Sequence, residues 1–383
     1  MSELAPVFDD ALTRVRPIDA DAAKKAQAHQ DQLTKPPGSL GRLEAAGAQL
    51  AAIARSSPPP VPEPAVVAVF AGDHGVLAQG VSPWPAEVTA QMVANFCAGG
   101  AAVNVLAAHA GAEVVVVDVG VAADVADAPG LLNRKVRRGT ADLSIGVAMS
   151  IEDAQRALEV GAVVATDAVA TGARCLLTGD MGIGNTTPSA ALIAALTGQA
   201  ARAVTGRGTG IDDDRWEAKV AVVERALARH SAHPGGSGDR EDPLTLLASL
   251  GGLEIAALVG YMVTGAALGI PVMIDGVIAG SAALVATALV PDVSGYLVAG
   301  HRSSEPGAGI ALGHLGLHPL LDLDLRLGEG TGACLALPIL QAAAMVLRDM
   351  ATFESAGVSD ESAGVSNESA GVSDESAGVS DTR

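Results

Sequence analysis

Short apolar segments alternate with longer alanine-rich segments through the middle of the chain. Four of the short segments are rich in Val, Leu and Ile, which are frequent in β-strands. They predict strands over residues 65–73, 113–120, 175–180 and 271–276. The segments between them, such as 87–110 and 151–172, have helical patterns. Because strands that are apolar on both faces must be covered on both faces, we expect an α/β fold with a doubly wound parallel sheet.

Helical patterns also occur near both ends of the chain. Residues 8–55 are predicted to be helical, with an extended turn where the prolines of TKPPGSLG interrupt the pattern. The proline-rich segment SSPPPVPEP at 56–64 follows and is expected to be a stiff linker. The sequence CLALPILQAAAMVLRDM predicts a returning helix over 334–350.

One apolar segment is long enough to raise the question of a membrane protein. Residues 255–274 contain no charge over 20 positions, which is the length of a membrane span. Glycines and Pro271 interrupt this segment, Asp275 follows it, and no Lys or Arg flanks it closely. We therefore expect a buried helix followed by a buried strand, and a membrane span is the alternative.

The end of the chain repeats the seven residues ESAGVSD from Glu354 to Asp381, with one substitution. Each repeat has a single Val as its only sizeable apolar residue, which is too little burial to offset the entropy of ordering. A coiled coil would need two apolar positions per repeat and no recurring glycine. Residues 353–383 are therefore predicted to be a disordered tail.

Composition narrows the functional classes. The 383 residues are 49% hydrophobic but only 2% aromatic, and the net charge is −19. A surface this negative repels nucleic acids and anionic lipids, so a bound phosphate must be held locally. Three widely separated cysteines and scattered histidines suggest neither a disulfide framework nor a metal site. Without an apolar signal segment at its start, the chain is expected in the reducing cytoplasm.

Three of the predicted strands end beside an acidic residue, namely Asp73, Asp180 and Asp275. Since ligands of such sheets lie beyond the carboxyl ends of the strands, these residues are expected at the edge that binds the ligand. His74 follows the first of them, and no second histidine stands at metal-binding spacing. A hydrogen bond from His74 to a backbone carbonyl is the simpler expectation. The segment GHRSSEPG (300–307) contains His301, Arg302 and Glu305, which are candidates for an ion pair between domains.

Two glycine-rich segments could bind an anion. TGDMGIGNTTPSAAL at 178–192 joins a strand to a helix, whose free N–H groups attract anions. It fits neither the Walker A loop nor the dinucleotide fingerprint, and a purely structural turn is the alternative. In TGRGTGIDDD at 205–214, Arg207 is a candidate phosphate ligand. Lys219, about two helical turns past Asp212, is either a second such cation or a solvated helix residue.

Glu329 stands among glycines in LRLGEGTGACLALPIL. The glycines would allow the backbone to approach a ligand closely, with the carboxylate directed into the same cavity. In an apolar cavity, desolvation would raise the carboxyl pKa and make Glu329 a better proton acceptor. Alternatively, Glu329 only interacts with the dipole of the helix that follows it.

Six segments in this order resemble the nicotinate-nucleotide–dimethylbenzimidazole phosphoribosyltransferase family over about residues 10 to 350. They are KPPGSLGRLE (35–44), GDHGV (72–76), GDMGIGNTT (179–187), PVMIDGVIAGSAAL (271–284), HRSSEPG (301–307) and RLGEGTGA (326–333). The resemblance implies transfer of phosphoribosyl from nicotinate mononucleotide to 5,6-dimethylbenzimidazole, within cobalamin assembly. It implies that Glu329 is the general base, and that no metal or redox cofactor is required.

The resemblance also implies the substrate contacts. Residues expected around the nucleotide phosphate are Gly182, Gly184, Asn185, Thr186 and Lys219. Residues 81–93 would line the benzimidazole pocket, with Gln91 and Met92 as contacts. Asp180 is a departure, since the family carries glutamate there, and its shorter side chain leaves its role in substrate binding open.

Finally, the resemblance implies a homodimer with two domains in each chain. The expected parts are a small helical domain of 1–55 plus 334–352, the linker 56–64, and a large catalytic α/β domain of 65–333. The partners would then be small-molecule substrates. A nucleotide- or benzimidazole-binding protein of the same fold that does not turn over is the alternative.

Overall fold

The computed structural model describes residues 6–232 and 242–359. Its strands are β1 (Ala65–Gly72), β2 (Ala112–Gly120), β3 (Leu131–Asn133), β4 (Cys175–Met181), β5 (Val272–Ile274) and β6 (Leu297–Ala299). The first helices are α1 (Val7–Arg14), α2 (Ala20–Gln30), α3 (Arg42–Ala54), α4 (Glu87–Cys97), α5 (Ala102–Ala110), α6 (Ile151–Ala170) and α7 (Thr186–Thr197). The later helices are α8 (Ala201–Val204), α9 (Asp213–Ser231), α10 (Pro243–Leu250), α11 (Leu253–Ala267), α12 (Val277–Leu289), α13 (Pro306–Leu315), α14 (Thr331–Asp349) and α15 (Phe353–Ala356).

The six strands form one parallel sheet in the order β3-β2-β1-β4-β5-β6. The strand order therefore reverses between β1 and β4, at the centre of the sheet. In doubly wound sheets this switch point leaves a crevice beyond the carboxyl ends of the two strands, where ligands bind. Such a crevice here would be bordered by Asp73, after β1, and by Asp180, near the end of β4.

Alternating side chains of β1 enter two separate apolar cores. Val66, Ala68 and Phe70 join the core formed with α6, α11 and α12, where Phe70 meets Tyr261 edge to face at 5.4 Å. The intervening residues of β1 join the core formed with α4, α5 and α14. The sheet is thus covered on both faces, and the predicted doubly wound α/β fold is confirmed.

The four predicted strands are present, each within two residues of the expected bounds. Strands β3 and β6, which have only three residues each, are not predicted by the sequence pattern. The segment 87–110 is helical over most of its length, as predicted, but it is divided into α4 and α5 by a turn where Gly99 has a φ of 77°. The apolar segment 255–274 forms buried α11 and then β5, as predicted.

Two helical segments of the described chain, Glu87–Ala110 and Thr331–Asp349, are long and apolar enough to span a membrane. The first is divided into α4 and α5, so it is not one continuous helix. More than half of the second is buried in the protein, where α14 packs against α3 and α5. Length and hydropathy alone are therefore weak support for a membrane span.

Helices from both halves of the described chain pack together beside α14. Leu33 and Thr352 form an antiparallel bridge, and α2 and α3 pack against α14. In contrast, α1 packs against α6 and α11, and the N–H groups of Val7 and Phe8 donate to Glu159 at 2.8 and 2.9 Å. Helix α15 lies inside the segment predicted to be a disordered tail, so order extends past 353. The prediction for 360–383 falls outside the described residues.

Candidate active site

Three acidic residues lie at the carboxyl edge of the sheet, at the ends of β1, β4 and β5. Asp73, Asp180 and Asp275 are all buried there. Burial raises the pKa of Asp180 well above its usual value, and the charges of Asp275, Glu254 and Glu329 raise it further. One oxygen of Asp180 accepts a hydrogen bond from Asn185 at 2.9 Å, which lowers this pKa in part. The other oxygen has no hydrogen-bond partner in the described chain.

Glu329 lies beside this edge in an uncommon backbone conformation. Its φ is 65°, between Gly328 at 82° and Gly330 at 97°. A residue with a Cβ in this left-handed region costs about 1–3 kcal/mol, which the surrounding contacts must offset. The two glycines accept the turn without this cost, and Gly330 also lets the loop pack on β4.

The Glu329 side chain is buried, with a residue exposure of 7%. This burial raises the carboxyl pKa to about 7, the backbone N–H of Val103 lowers it, and the charge of Asp275 raises it. Its Oε2 atom has no hydrogen-bond partner within residues 6–232 and 242–359. The site therefore holds an unsatisfied carboxylate with the pKa of a useful proton acceptor near neutral pH.

Asp275, rather than Glu329, caps the start of α14. Its Oδ1 accepts from the N–H groups of Gly332 at 2.7 Å and Ala333 at 3.0 Å, and its Oδ2 from Gly330 at 3.3 Å. Because these donors are already satisfied, the alternative interpretation of Glu329 as a partner of the helix start has little support.

The loop between β4 and α7 brings four of the predicted phosphate residues together. Gly184 has a φ of 93°, and Gly182 lies so close to β1 that a Cβ there would be 2.3 Å from the Gly72 carbonyl oxygen. Asn185 precedes the first residue of α7, Thr186, and the loop thus ends at a helix N-terminus. Such a terminus offers N–H groups to an anion.

Lys219 reaches this loop from α9. Its Nζ donates to the Thr186 hydroxyl at 2.8 Å, and the residue is 1% exposed. Burial lowers its pKa to about 8, and the nearby Glu305 carboxylate opposes that effect. The interpretation of Lys219 as a solvated helix residue is wrong. A buried ammonium group that donates to a hydroxyl at the mouth of this loop is suited to a phosphate.

Gly208, in the second glycine-rich segment, lies next to the side chains of Lys219 and Thr186. Its N–H donates to Glu305 Oε1 at 2.8 Å, and its carbonyl accepts from Arg326 at 2.8 Å. Arg207 is directed elsewhere, since it pairs with Asp213 and its guanidinium is 5.7 Å from the Trp216 ring centroid. The Arg207 guanidinium thus already has partners within the protein, and its contact with a phosphate stays a prediction.

Other candidates have different surroundings from those expected. His74 bonds Glu254 at 2.8 Å, both fully buried, so the predicted bond to a backbone carbonyl is wrong. The Glu254 carboxylate raises the pKa of His74 although burial opposes it. Met92 packs partly into the second apolar core, whereas Gln91 is exposed. In the described chain no hydrogen bond or ion pair joins Gln91 to the loops above.

No sequence pattern marks Glu254 or Arg326 as part of the site, and Glu305 is marked only as part of GHRSSEPG, a candidate for an ion pair between domains. Glu254 is in the first turn of an apolar helix, where no local pattern marks it.

Among the described residues, no group of three or more His, Cys, Asp or Glu side chains could hold a metal ion. The site can thus bind a phosphate at one end and accept a proton at Glu329.

Comparisons with known proteins agree with these features. A family described as phosphoribosyltransferase matches residues 15–358. The nicotinate-nucleotide–dimethylbenzimidazole phosphoribosyltransferase of Salinispora tropica is 54% identical over 367 residues, which cover 92% of this chain and 99% of that protein. The protein of the same name from Chloroflexus aggregans is 52% identical over 354 residues, 92% of this chain and 98% of its own. The crystal structure of such an enzyme from Thermus thermophilus has 48% identity and a TM-score of 0.83, covering 90% of this chain and all of that one (100%).

Proposed function

Because this chain belongs to the nicotinate-nucleotide–dimethylbenzimidazole phosphoribosyltransferase family, we propose that Glu329 is the general base of that reaction. The enzyme transfers phosphoribosyl from nicotinate mononucleotide to 5,6-dimethylbenzimidazole, and α-ribazole 5′-phosphate and nicotinate are the products. The observation that supports Glu329 most is its buried carboxylate, whose Oε2 has no hydrogen-bond partner in the described chain.

One azole nitrogen of the benzimidazole attacks the anomeric carbon of the ribose. The bond from that carbon to the nicotinate nitrogen breaks, and its electron pair returns to the pyridinium ring, which leaves as nicotinate. The second azole nitrogen loses its proton to Glu329, which neutralises the positive charge that develops on the azole. Attack from the face opposite the leaving group converts the β linkage into an α linkage.

The phosphate of the nucleotide is held at the other end of the site. Lys219 supplies a cation, and the Thr186 hydroxyl beside it, at the start of α7, supplies a hydrogen bond. Gly182 and Gly184 shape this loop, and Asn185 holds it to Asp180. Fixing the phosphate positions the anomeric carbon, and such positioning contributes strongly to rate.

The remaining assignments rest on the family resemblance and on composition. We place the enzyme in the cytoplasm, because its Cys97, Cys175 and Cys334 are all free thiols. A homodimer is the expected assembly, and Gln91 and Met92 are proposed benzimidazole contacts. Light scattering after size-exclusion chromatography measures the assembly, and a monomeric mass at micromolar concentration would contradict it.

Turnover separates the enzyme from a binding protein of the same fold. The chain is incubated with both substrates, and nicotinate and α-ribazole 5′-phosphate are quantified by chromatography. We expect equal molar amounts of the two products, accumulating in excess of the enzyme. Tight binding of either substrate without nicotinate release would support the binding protein instead.

A further inference from the structure

The start of α14 is held by a carboxylate from another strand. Asp275 follows β5, has a fully buried side chain, and accepts three backbone hydrogen bonds from residues 330–333. Its own N–H donates to the Thr178 hydroxyl at 3.0 Å, which fixes its position relative to β4. Asp275 therefore connects the segment that carries Glu329 to β5 and, through Thr178, to β4.

The hydrogen bonds of Asp275 to this segment matter because Glu329 is in a left-handed conformation, which a residue with a side chain does not adopt readily. The N–H groups that Asp275 binds belong to the residue directly after Glu329 and to two residues in the first turn of α14. These hydrogen bonds stabilise the turn at residues 328–330 and cap α14, so the Glu329 carboxylate is not needed as a cap. The Asp275 charge favours the protonated form of that carboxylate and raises its pKa, whereas the Val103 N–H favours the ionised form.

We propose that Asp275 is a positioning residue for the proton transfer, holding Glu329 toward the azole. This inference rests on the proposed role of Glu329. His301 completes the arrangement, since its Nε2 is 3.4 Å from Asp275 Oδ1 and both side chains are buried. The Asp275 carboxylate raises the pKa of His301, although burial opposes this effect.

Two substitutions separate the two effects of Asp275. Asp275→Asn keeps an oxygen that can accept from Gly332 and Ala333 but removes the negative charge. Because a like charge disfavours ionisation, its removal lowers the Glu329 pKa. The acidic limb of the kcat profile should move down by roughly 0.5 pH unit, with kcat reduced less than about 10-fold. Asp275→Ala releases the helix start as well, and kcat should fall by about 100-fold.

Asp118 provides matched control variants at the end of β2. It is buried, its Oδ1 accepts from the Val121 N–H at 2.9 Å, and it pairs with Lys135 at 2.9 Å. Asp118→Asn and Asp118→Ala should lower the melting temperature but leave the acidic limb of the kcat profile where it is. An equal shift of the limb in these variants would show a general effect of buried charge and overturn the role of Asp275.

A second readout does not depend on turnover. In enzyme labelled with carbon-13 at the glutamate carboxyl groups, Glu329 is identified by the signal missing from Glu329→Gln. Its titration midpoint should be lower in Asp275→Asn than in the parent. An unchanged midpoint together with an unchanged kcat would overturn the inference. Absence of nicotinate release from the parent enzyme would instead contradict the proposed function and leave the titration as the test of Asp275.

Discussion

The ammonium group of Lys219 lies 2.8 Å from the hydroxyl of Thr186 and joins the middle of α9 to the first residue of α7. Both groups are at the end of the loop that follows β4, on the carboxyl side of the sheet. A cation, a hydroxyl and a helix N-terminus meet there, and each interacts favourably with a phosphate. Glu329 lies across the same edge, so in the proposed function different elements bind the phosphate and accept the proton.

Removal of the Lys219 charge should weaken nucleotide binding more than the chemical step. For Lys219→Gln we expect the KM for nicotinate mononucleotide to rise by about 10- to 100-fold, as loss of a charge-assisted hydrogen bond predicts. Steady-state kinetics with saturating benzimidazole give this value. Lys24→Gln is the control, because Lys24 is exposed and its ion pair with Asp21, at 3.5 Å, is exposed as well. An equal rise in both variants would contradict a specific role of Lys219.

Nucleotide affinity should decrease as the pH rises above about 8. The pKa of Lys219 is lowered to about 8, so the ammonium form is complete well below that pH and is lost above it. A bound phosphate would favour the charged form, and binding should therefore take up protons near pH 8. Calorimetric titrations in buffers of different ionisation enthalpy measure this uptake. Constant affinity from pH 7 to 9 would show that Lys219 does not meet the phosphate.

Addition of one methyl group at Gly182 should disturb the phosphate loop. Its Cβ would lie 2.3 Å from the Gly72 carbonyl oxygen, so the loop must move away from β1. We expect Gly182→Ala to lose about 1–3 kcal/mol of unfolding free energy, the usual cost of overpacking. Gly309→Ala is the control, since nothing lies within 4 Å of its Cβ position. Urea denaturation compares them, and equal stability would contradict the close approach of the loop to β1.

Two truncations should distinguish the contribution of residues 360–383 from that of residues 351–359. Deletion of residues 360–383 should leave activity and melting temperature nearly unchanged, because the repeats contribute little apolar surface. Deletion from residue 351 onward should lower the melting temperature, since it also removes the hydrogen bonds between Thr34 and Ala351 and between Phe353 and Gln32. A cooperative loss of stability on deletion of 360–383 would show that the repeats are structural.

The central strands and the fold class could be predicted because long apolar strands separated by helices are a strong local signal. The strands β3 and β6 could not, since each has three residues outside any longer apolar segment, whereas the equally short β5 ends the apolar segment 255–274. The two glycines around Glu329 marked it in the sequence. Nothing marked Asp275 as the cap of α14, because the cap and the helix are far apart in the chain and meet only in the folded protein.

Lys219 and Arg207 show the same limit for charged residues. In the sequence, each of these two residues is a candidate phosphate ligand. Their burial in the folded protein is what distinguishes them. Lys219 is on the buried side of α9 with Val220 and Val223, whereas Arg207 pairs with exposed Asp213. Local spacing does not specify which face of a helix or loop another loop will cover, so such assignments depend on tertiary packing.

The pH dependence of Glu329→Gln tests the central claim most directly. For the parent enzyme, the single-turnover rate of nicotinate release should rise through about pH 7, because Glu329 accepts a proton only when ionised. In Glu329→Gln we expect a rate about 10²- to 10⁴-fold lower, no such rise, and a nearly unchanged affinity for nicotinate mononucleotide. Glu63→Gln, at an exposed glutamate, should behave as the parent. A Glu329→Gln enzyme with the parental rate and the parental rise through pH 7 would contradict the account.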